Sequence, residues 1–379
     1  MRETINNIQA LRFFAALSVV FAHLLLARYS GIGVPTDLFS IGAFGVDIFF
    51  IISGFIMAFV SKGMKGSPYE KSIDFLVRRV FRVVPLYWRF TIVAYILAFM
   101  SISCPPNLSV CPFYLSDHYN FAKTSFDWLF QSLTFTHWER GPIYSIGWTL
   151  IYEFWFYVLF SLCLILGMRP VRFFSALLAL VLIASLPFFA EVRSTGVLNI
   201  LLHPFMIEFI LGVYLYSLYD AKKLSIKLIA PLLAFAAVLG GLYQVGSIVD
   251  ALHGYARPVL VGGTAFCVVA IALILEKYSF RANRFFVRLG DASYSLYLTH
   301  WLVVTTLPSL LDIYGVGDIS FVTFVILNVG VSLILSEAVY YLVEKPLRDS
   351  SKISMAKVLS TLKPNSKAVI KEGGAPVKS

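Results

Sequence analysis

Few residues in this chain combine reactive chemistry with an apolar setting, and His23 leads them. It stands in IQALRFFAALSVVFAHLLL, eleven residues after Arg12. Eleven steps of about 100° make three turns plus about 20°, so both side chains share one helix face, about 16 Å apart. An imidazole, with an ordinary pKa of about 6.5, serves as general base or nucleophile near neutral pH. Asp47, in GVDIFFIISGF, belongs to the next apolar run. With the two runs antiparallel it reaches the depth of His23 and can orient its ring, as carboxylates do beside reactive histidines. Near a helix start it can equally bind free backbone N–H groups. Glu153, in SIGWTLIYEFWFYVLF, is a second acid for the orienting role or for holding a substrate. Glu208 and His300 fall near the middle of their runs and suit structural roles more readily.

A second group is basic. FLVRRVFRVVPLYW carries Arg78, Arg79 and Arg82. Arg79 and Arg82, three apart, share a helix face, and two guanidinium forks in that arrangement suit phosphate oxygens. The same cluster also satisfies a simpler need, that of charge holding a loop on the cytoplasmic side.

The elements that must position these residues are long apolar runs. Of the 379 residues, 59% are hydrophobic and 14% charged, and the mean hydropathy is +0.80; globular domains carry about 25% charged residues. Runs near the ~20 residues that cross a bilayer fall at 8–27, 42–61, 80–101, 145–167, 173–190, 196–219, 226–246, 257–276, 290–311 and 318–343. The expected fold is an all-α integral membrane protein, a bundle of ten transmembrane helices. With the N-terminus inside, 25 of the 31 Lys and Arg fall on inner segments. The outer segments receive Arg28, Lys123, Arg140, Arg193 and Arg257. The positive-inside rule then puts both termini in the cytoplasm. The net charge of +10 reports topology and attraction to anionic membrane lipid, and no nucleic-acid partner is expected. Residues 1–348 form the transmembrane domain and 349–379 a basic, loosely ordered cytoplasmic tail. Cys163 and Cys267 lie inside runs, whereas Cys104 and Cys111 share an outer loop, CPPNLSVC, where a disulfide and two free thiols are both open. No metal site is expected, because two cysteines without further ligands do not hold zinc.

At these residues the chain resembles the acyltransferase-3 family, membrane O-acyltransferases that modify O-antigen, exopolysaccharide and nodulation-factor sugars. It looks closest to exopolysaccharide O-acetylases without a fused extracytoplasmic esterase-like domain. The family's Arg-x10-His pattern falls on Arg12 and His23, and Phe-Phe-x-x-Ser-Gly on Phe49, Phe50, Ser53 and Gly54. Arg-x-x-Arg falls on Arg79 and Arg82, and Ser-x-x-Trp-(Ser/Thr)-Leu-x-x-Glu on Ser145, Trp148, Thr149 and Leu150, with Glu153 three positions after Leu150. Ser293 to His300 match a late Ser-Tyr-x-Leu-Tyr-Leu-x-His element, and Glu344, Lys345 and Pro346 the usual ending. The resemblance covers residues 8–348. It implies ten transmembrane helices, an acyl-CoA donor (usually acetyl-CoA) and a bacterial inner-membrane location.

On that reading Arg12, Arg79 and Arg82 hold the coenzyme A phosphates at the inner mouth, and His23, aided by Asp47 or Glu153, acts on a sugar hydroxyl arriving from outside. Ser53, Ser145, Trp148 and His300 are expected to support the site or the substrate. The acceptor is a saccharide: exopolysaccharide, O-antigen or a lipid-linked glycan. The rival function is a transporter or flippase of a lipid-linked sugar, which also has about ten helices and buried charge, usually with inverted repeats.

Overall fold

Hydrocarbon offers backbone N–H and C=O groups no partners, so a chain this apolar must satisfy them within helices. The computed structural model describes residues 5–29, 36–101, 125–136, 141–184, 196–316 and 319–350, and among them every regular element is helical. The helices are α1 (Asn6–Tyr29), α2 (Thr36–Lys62), α3 (Pro68–Ser101), α4 (Phe126–Thr134), α5 (Trp148–Ile165), α6 (Pro170–Ala184) and α7 (Gly196–Leu201). They continue as α8 (Met206–Asp220), α9 (Ile229–Tyr243), α10 (Gly246–Ala251), α11 (Gly262–Lys277), α12 (Arg284–Asp291), α13 (Ser293–Ile313) and α14 (Phe321–Val339). Cys104, Cys111 and the tail from residue 351 lie outside the described residues.

Six segments among the described residues are long and apolar enough to cross a membrane: Asn6–Leu25, Gly42–Lys62, Ser145–Ile165, Ile226–Tyr243, Arg257–Lys277 and Phe321–Ser350. The other expected runs take different forms. The run at 80–101 is the second part of α3, a helix of 34 residues. At about 1.5 Å per residue α3 outruns a hydrocarbon core of about 30 Å by some twenty ångströms. It starts early because Ser67 and Glu70 form a reciprocal cap, with Ser67 N–H donating to Glu70 Oε2 (2.7 Å) and Glu70 N–H to Ser67 Oγ (3.3 Å). The run at 196–219 is broken between α7 and α8, where Pro204 lacks the N–H that a continuous helix needs. The run at 290–311 is α13 alone, separated from the short, basic α12.

The helices approach closely where glycine removes a side chain, the usual device for packing spans without a solvent-driven force. A Cβ placed on Gly45 would meet the Ala15 carbonyl oxygen at 2.1 Å, and one on Gly42 would meet Ala22 Cβ at 2.5 Å, so α2 rides directly on α1. On its other side, Gly54 faces the Phe209 carbonyl and Gly212 the Ile51 carbonyl, which locks α2 to α8. Asn7 ties the start of α1 to the end of α11: its Nδ2 donates to the carbonyls of Ala272 (3.1 Å) and Phe280 (2.8 Å), and its Oδ1 accepts from Ala282 N–H (2.7 Å).

Among the described residues two single turns of π-helix occur, Arg257–Val261 ahead of α11 and Tyr340–Glu344 after α14. The second brings Glu344 inward, where its Oε2 accepts from Ser295 Oγ at 2.6 Å.

Gly45→Val should force α1 and α2 apart at a cost of about 1–3 kcal/mol. Gly240, whose added Cβ would meet nothing within 4 Å, gives the control. Thermal unfolding of detergent-purified protein should show a clearly lowered midpoint for Gly45→Val and little change for Gly240→Val; equal midpoints would mean that the α1–α2 contact is loose.

Candidate active site

A cavity of about 240 Å³ opens between α1, α2, α3, α5 and α13. Its lining is mixed: Gln9, Arg12, Arg79 and Arg82 bring donors and positive charge, Ile52, Ile56, Met57 and Val83 make apolar walls, and Ser53, Thr149, Glu153, Tyr157 and Tyr297 supply further polar groups.

The arginines are held individually. Arg12 Nη1 donates to Gln9 Oε1 (2.9 Å), and Gln9 Nε2 donates to Asp291 Oδ1 (2.7 Å), so an amide relays a carboxylate's hold on the guanidinium. Arg79 is buried, with its Cζ 5.7 Å from the Phe75 ring centre. Arg82 lies half-buried on the same face as Arg79. Arg78, one residue round the helix, is exposed and spent on Asp74 at 2.6 Å. The i, i+3 pair Arg79 and Arg82 lines the cavity, and Arg78 is not among its lining residues.

Glu153 joins two of the motifs. Its Oε1 accepts from Ser53 Oγ of α2 (2.7 Å) and from Tyr157 OH one turn along α5 (2.5 Å). Its bonds among the described residues therefore go to Ser53 and Tyr157, not to an imidazole. Tyr297 closes the cavity beside it: its OH donates to the Ile146 carbonyl (3.0 Å) and meets Thr149 Oγ1 (2.7 Å). The Tyr297 ring centre lies 5.8 Å from that of His300, and His300 in turn meets His23.

The His23–His300 contact fixes the protons. His300 Nδ1 lies 3.1 Å from the Leu296 carbonyl oxygen. A carbonyl only accepts, so in the neutral ring Nδ1 carries the proton and Nε2 the lone pair. His23 Nδ1, 3.0 Å from the Val19 carbonyl and 3.1 Å from His300 Nε2, is then the donor. That assignment leaves His23 Nε2 as the proton-free nitrogen, the form a base or nucleophile needs. Trp301 packs edge-on against the His23 ring, with centres 5.1 Å apart.

Asp47 departs from expectation. It is fully buried, but its two oxygens accept from Arg257 Nε (3.2 Å) and Nη2 (2.9 Å), and the same Nη2 donates to the Ala43 carbonyl (3.1 Å). Matched depth was not enough, because Asp47 sits two residues, about 200°, beyond Gly45, whose face is pressed on α1. The carboxylate therefore points away from α1, and a bidentate guanidinium takes it. Glu208, also fully buried, lies against Gly262 near this pair. Ser145 opens a short 3-10 turn, Ser145–Gly147, that leads into α5. Trp148 follows it and packs on Phe205, with ring centres 5.6 Å apart.

Sequence reasoning placed Arg257 among the outer loop charges and His300 among structural residues. Tyr157 was overlooked, although its spacing of four from Glu153 puts the two on one helix face.

Residues 5–341 match the family model described as an acyltransferase domain. Among curated proteins, the exopolysaccharide production protein ExoZ of Rhizobium meliloti (strain 1021) is 28% identical over 324 residues, which are 82% of this chain and 90% of ExoZ. YrhL of Bacillus subtilis (strain 168), a protein named for peptidoglycan O-acetylation, is 25% identical over 382 residues; the match takes in 91% of this chain but only 55% of YrhL. No solved structure matches the chain. A family match that runs from the first turn of α1 to the turn after α14 leaves one assignment: this multi-helix membrane chain belongs to the acyltransferase-3 family.

Proposed function

We propose that this protein takes an acyl group, acetyl in the first instance, from acyl-CoA at the cytoplasmic face of the bacterial inner membrane and places it on a saccharide hydroxyl at the other face. The observation that carries the reading is a cavity lined by three arginines with, beyond its Tyr297 wall, an imidazole pair with a proton-free nitrogen. Ten spans with both termini in the cytoplasm put Arg12, Arg79 and Arg82 on the side where acyl-CoA is made. Three guanidinium groups suit the phosphates of coenzyme A, and the ~16 Å from Arg12 to His23 suits an extended pantetheine arm. The acceptor is a cell-surface or lipid-linked glycan, in keeping with the names of ExoZ and YrhL. Membership of an acyltransferase family leaves the transporter reading without support.

In the proposed reaction the acceptor hydroxyl gives its proton to His23 Nε2 as its oxygen attacks the thioester carbonyl. The C–S bond then breaks, and the proton returns from His23 to the departing sulfur, so coenzyme A leaves as the thiol. While His23 is cationic, its Nδ1–H donates to His300 Nε2, and the second ring shares the charge. Asp47 takes no part in this step; it fixes Arg257. Glu153 holds Ser53 and Tyr157 along the path of the donor.

His23→Ala should abolish acetyl transfer while the protein remains folded, since one uncharged ring is lost from a helix that packs elsewhere. Retention of more than about a tenth of the activity would remove His23 as the base, whose loss costs about 100-fold or more. His300→Ala should lower kcat about tenfold to a hundredfold and leave the KM for acetyl-CoA near that of the parent; a change confined to KM would make His300 a binding residue.

Arg79→Glu or Arg82→Glu should weaken acetyl-CoA far more than a minimal acetyl thioester without the nucleotide, each lost phosphate contact costing about 1.5–3 kcal/mol. Equal losses with both donors would assign the pair to folding or topology.

Sidedness has its own test. Acetyl-CoA added outside inverted vesicles should label glycan trapped in the lumen, and right-side-out vesicles should stay unlabelled with the same external donor. Labelling in both orientations would end the cross-membrane model.

A further inference from the structure

Trp148 opens α5, Phe205 precedes α8, and Arg257 opens the turn ahead of α11, and these three helix starts meet. Phe205 is the hub of a ring group there. Its centre lies 5.6 Å from those of Trp148 and Tyr152 and 4.9 Å from that of His203, and Tyr152 and His203 are 4.8 Å apart. All four rings are half-buried. Arg257 Cζ lies 5.8 Å from the Phe205 ring centre, and its side chain keeps 30% of its surface. One edge of this guanidinium is fixed by Asp47 and Ala43 through Nε and Nη2. Nη1 makes no hydrogen bond among the described residues, so toward them two of the five N–H donors stay open to a ligand.

The group adjoins both halves of the proposed site. Phe205 is 5.9 Å from Phe50, a cavity-lining residue. Trp148 precedes Thr149, whose hydroxyl meets Tyr297, the residue packed on His300.

The geometry points to a carbohydrate subsite: the acceptor's pyranose ring lies against Tyr152 at the half-exposed side of this ring group, where His203 is stacked on Phe205 and Tyr152 stands edge-on to it, while Arg257 Nη1 donates to one of its hydroxyls. A pyranose presents an apolar C–H face bounded by hydroxyls, and it needs apolar rings flanked by a fixed polar donor. A lipid tail would cover the rings and leave the guanidinium N–H groups unmet, at a cost in a water-poor setting. Asp47 already matches the charge of Arg257, and Glu208 adds a further carboxyl, so no surplus positive charge remains to favour a phosphate or carboxylate. The assignment rests on the acyl-transfer reading above and adds where the acceptor is held.

The test is steady-state kinetics on the full chain in nanodiscs, with acetyl-CoA and the producing strain's exopolysaccharide freed of esters by mild alkali. Tyr152→Leu, and Arg257→Lys, which keeps the charge but loses the planar fork, should each raise the acceptor KM about tenfold, with the KM for acetyl-CoA moving less than about twofold. Tyr152→Phe, which keeps the ring, should bring the acceptor KM back to within about threefold of the parent. An unchanged acceptor KM in Tyr152→Leu would make the rings a lipid-facing belt and overturn the subsite, with acyl transfer intact. Parallel losses in both KM values and kcat, not rescued by Tyr152→Phe, would assign the residue to the fold and overturn it equally. Failure of the parent protein to acetylate this polysaccharide and the strain's lipid-linked glycans alike, with no turnover of acetyl-CoA, would instead overturn the acyl-transfer reading itself.

Discussion

The close approach of α2 to α1 through Gly42 and Gly45 sets the direction of the polar groups around it. Once that glycine face is pressed on Ala15 and Ala22, Asp47 has to look the other way, and its carboxylate must find a cation there or remain a bare charge in a place that penalises it heavily. Arg257 answers that need from the turn ahead of α11. Losing either partner of such a buried pair costs about 3–5 kcal/mol, because the survivor is left uncompensated. His23, which bonds no carboxylate among the described residues, is paired instead with an imidazole, a neutral partner that imposes a tautomer without adding a permanent charge.

At the opposite end the constraint is repulsion. Three guanidinium groups share the rim of one small cavity, and each has a different restraint. Arg12 is held through Gln9 by Asp291, Arg79 lies over Phe75, and Arg82 is half-buried. The cap at Ser67 and Glu70 begins α3 well before the hydrocarbon, and Arg79 is reached about three turns along.

Periodicity within one helix was legible from the sequence. Arg12 and His23, and Arg79 and Arg82, were placed on common faces by counting residues, whereas the turn of Arg78 to Asp74 was not read that way. Contacts between helices were not legible to that degree. Depth is a one-dimensional quantity that follows from rise per residue, whereas a contact also requires the azimuth, which depends on packing that a single run does not encode. Asp47 shows this: its depth suited His23, and its direction did not. Arg257 was hidden because a charge at the edge of an apolar run looks the same whether it faces water or a buried acid. The broken run at 196–219 did carry its signal, in Pro204, whereas the early start of α3 was concealed because charge in its first turns resembles a loop.

Both π turns deliver an ionisable residue to an interior partner, Arg257 to Asp47 and Glu344 to Ser295. A π turn is an α-helix with one residue too many, usually retained where it serves a function. Removing one codon from either turn would restore regular winding and swing the residues on one side of it by about 100° relative to those on the other. Single-residue insertions and deletions at these two places therefore offer this scaffold a route to rotate one buried ionisable group relative to the helix that follows or precedes it, while the glycine-packed helices keep their positions.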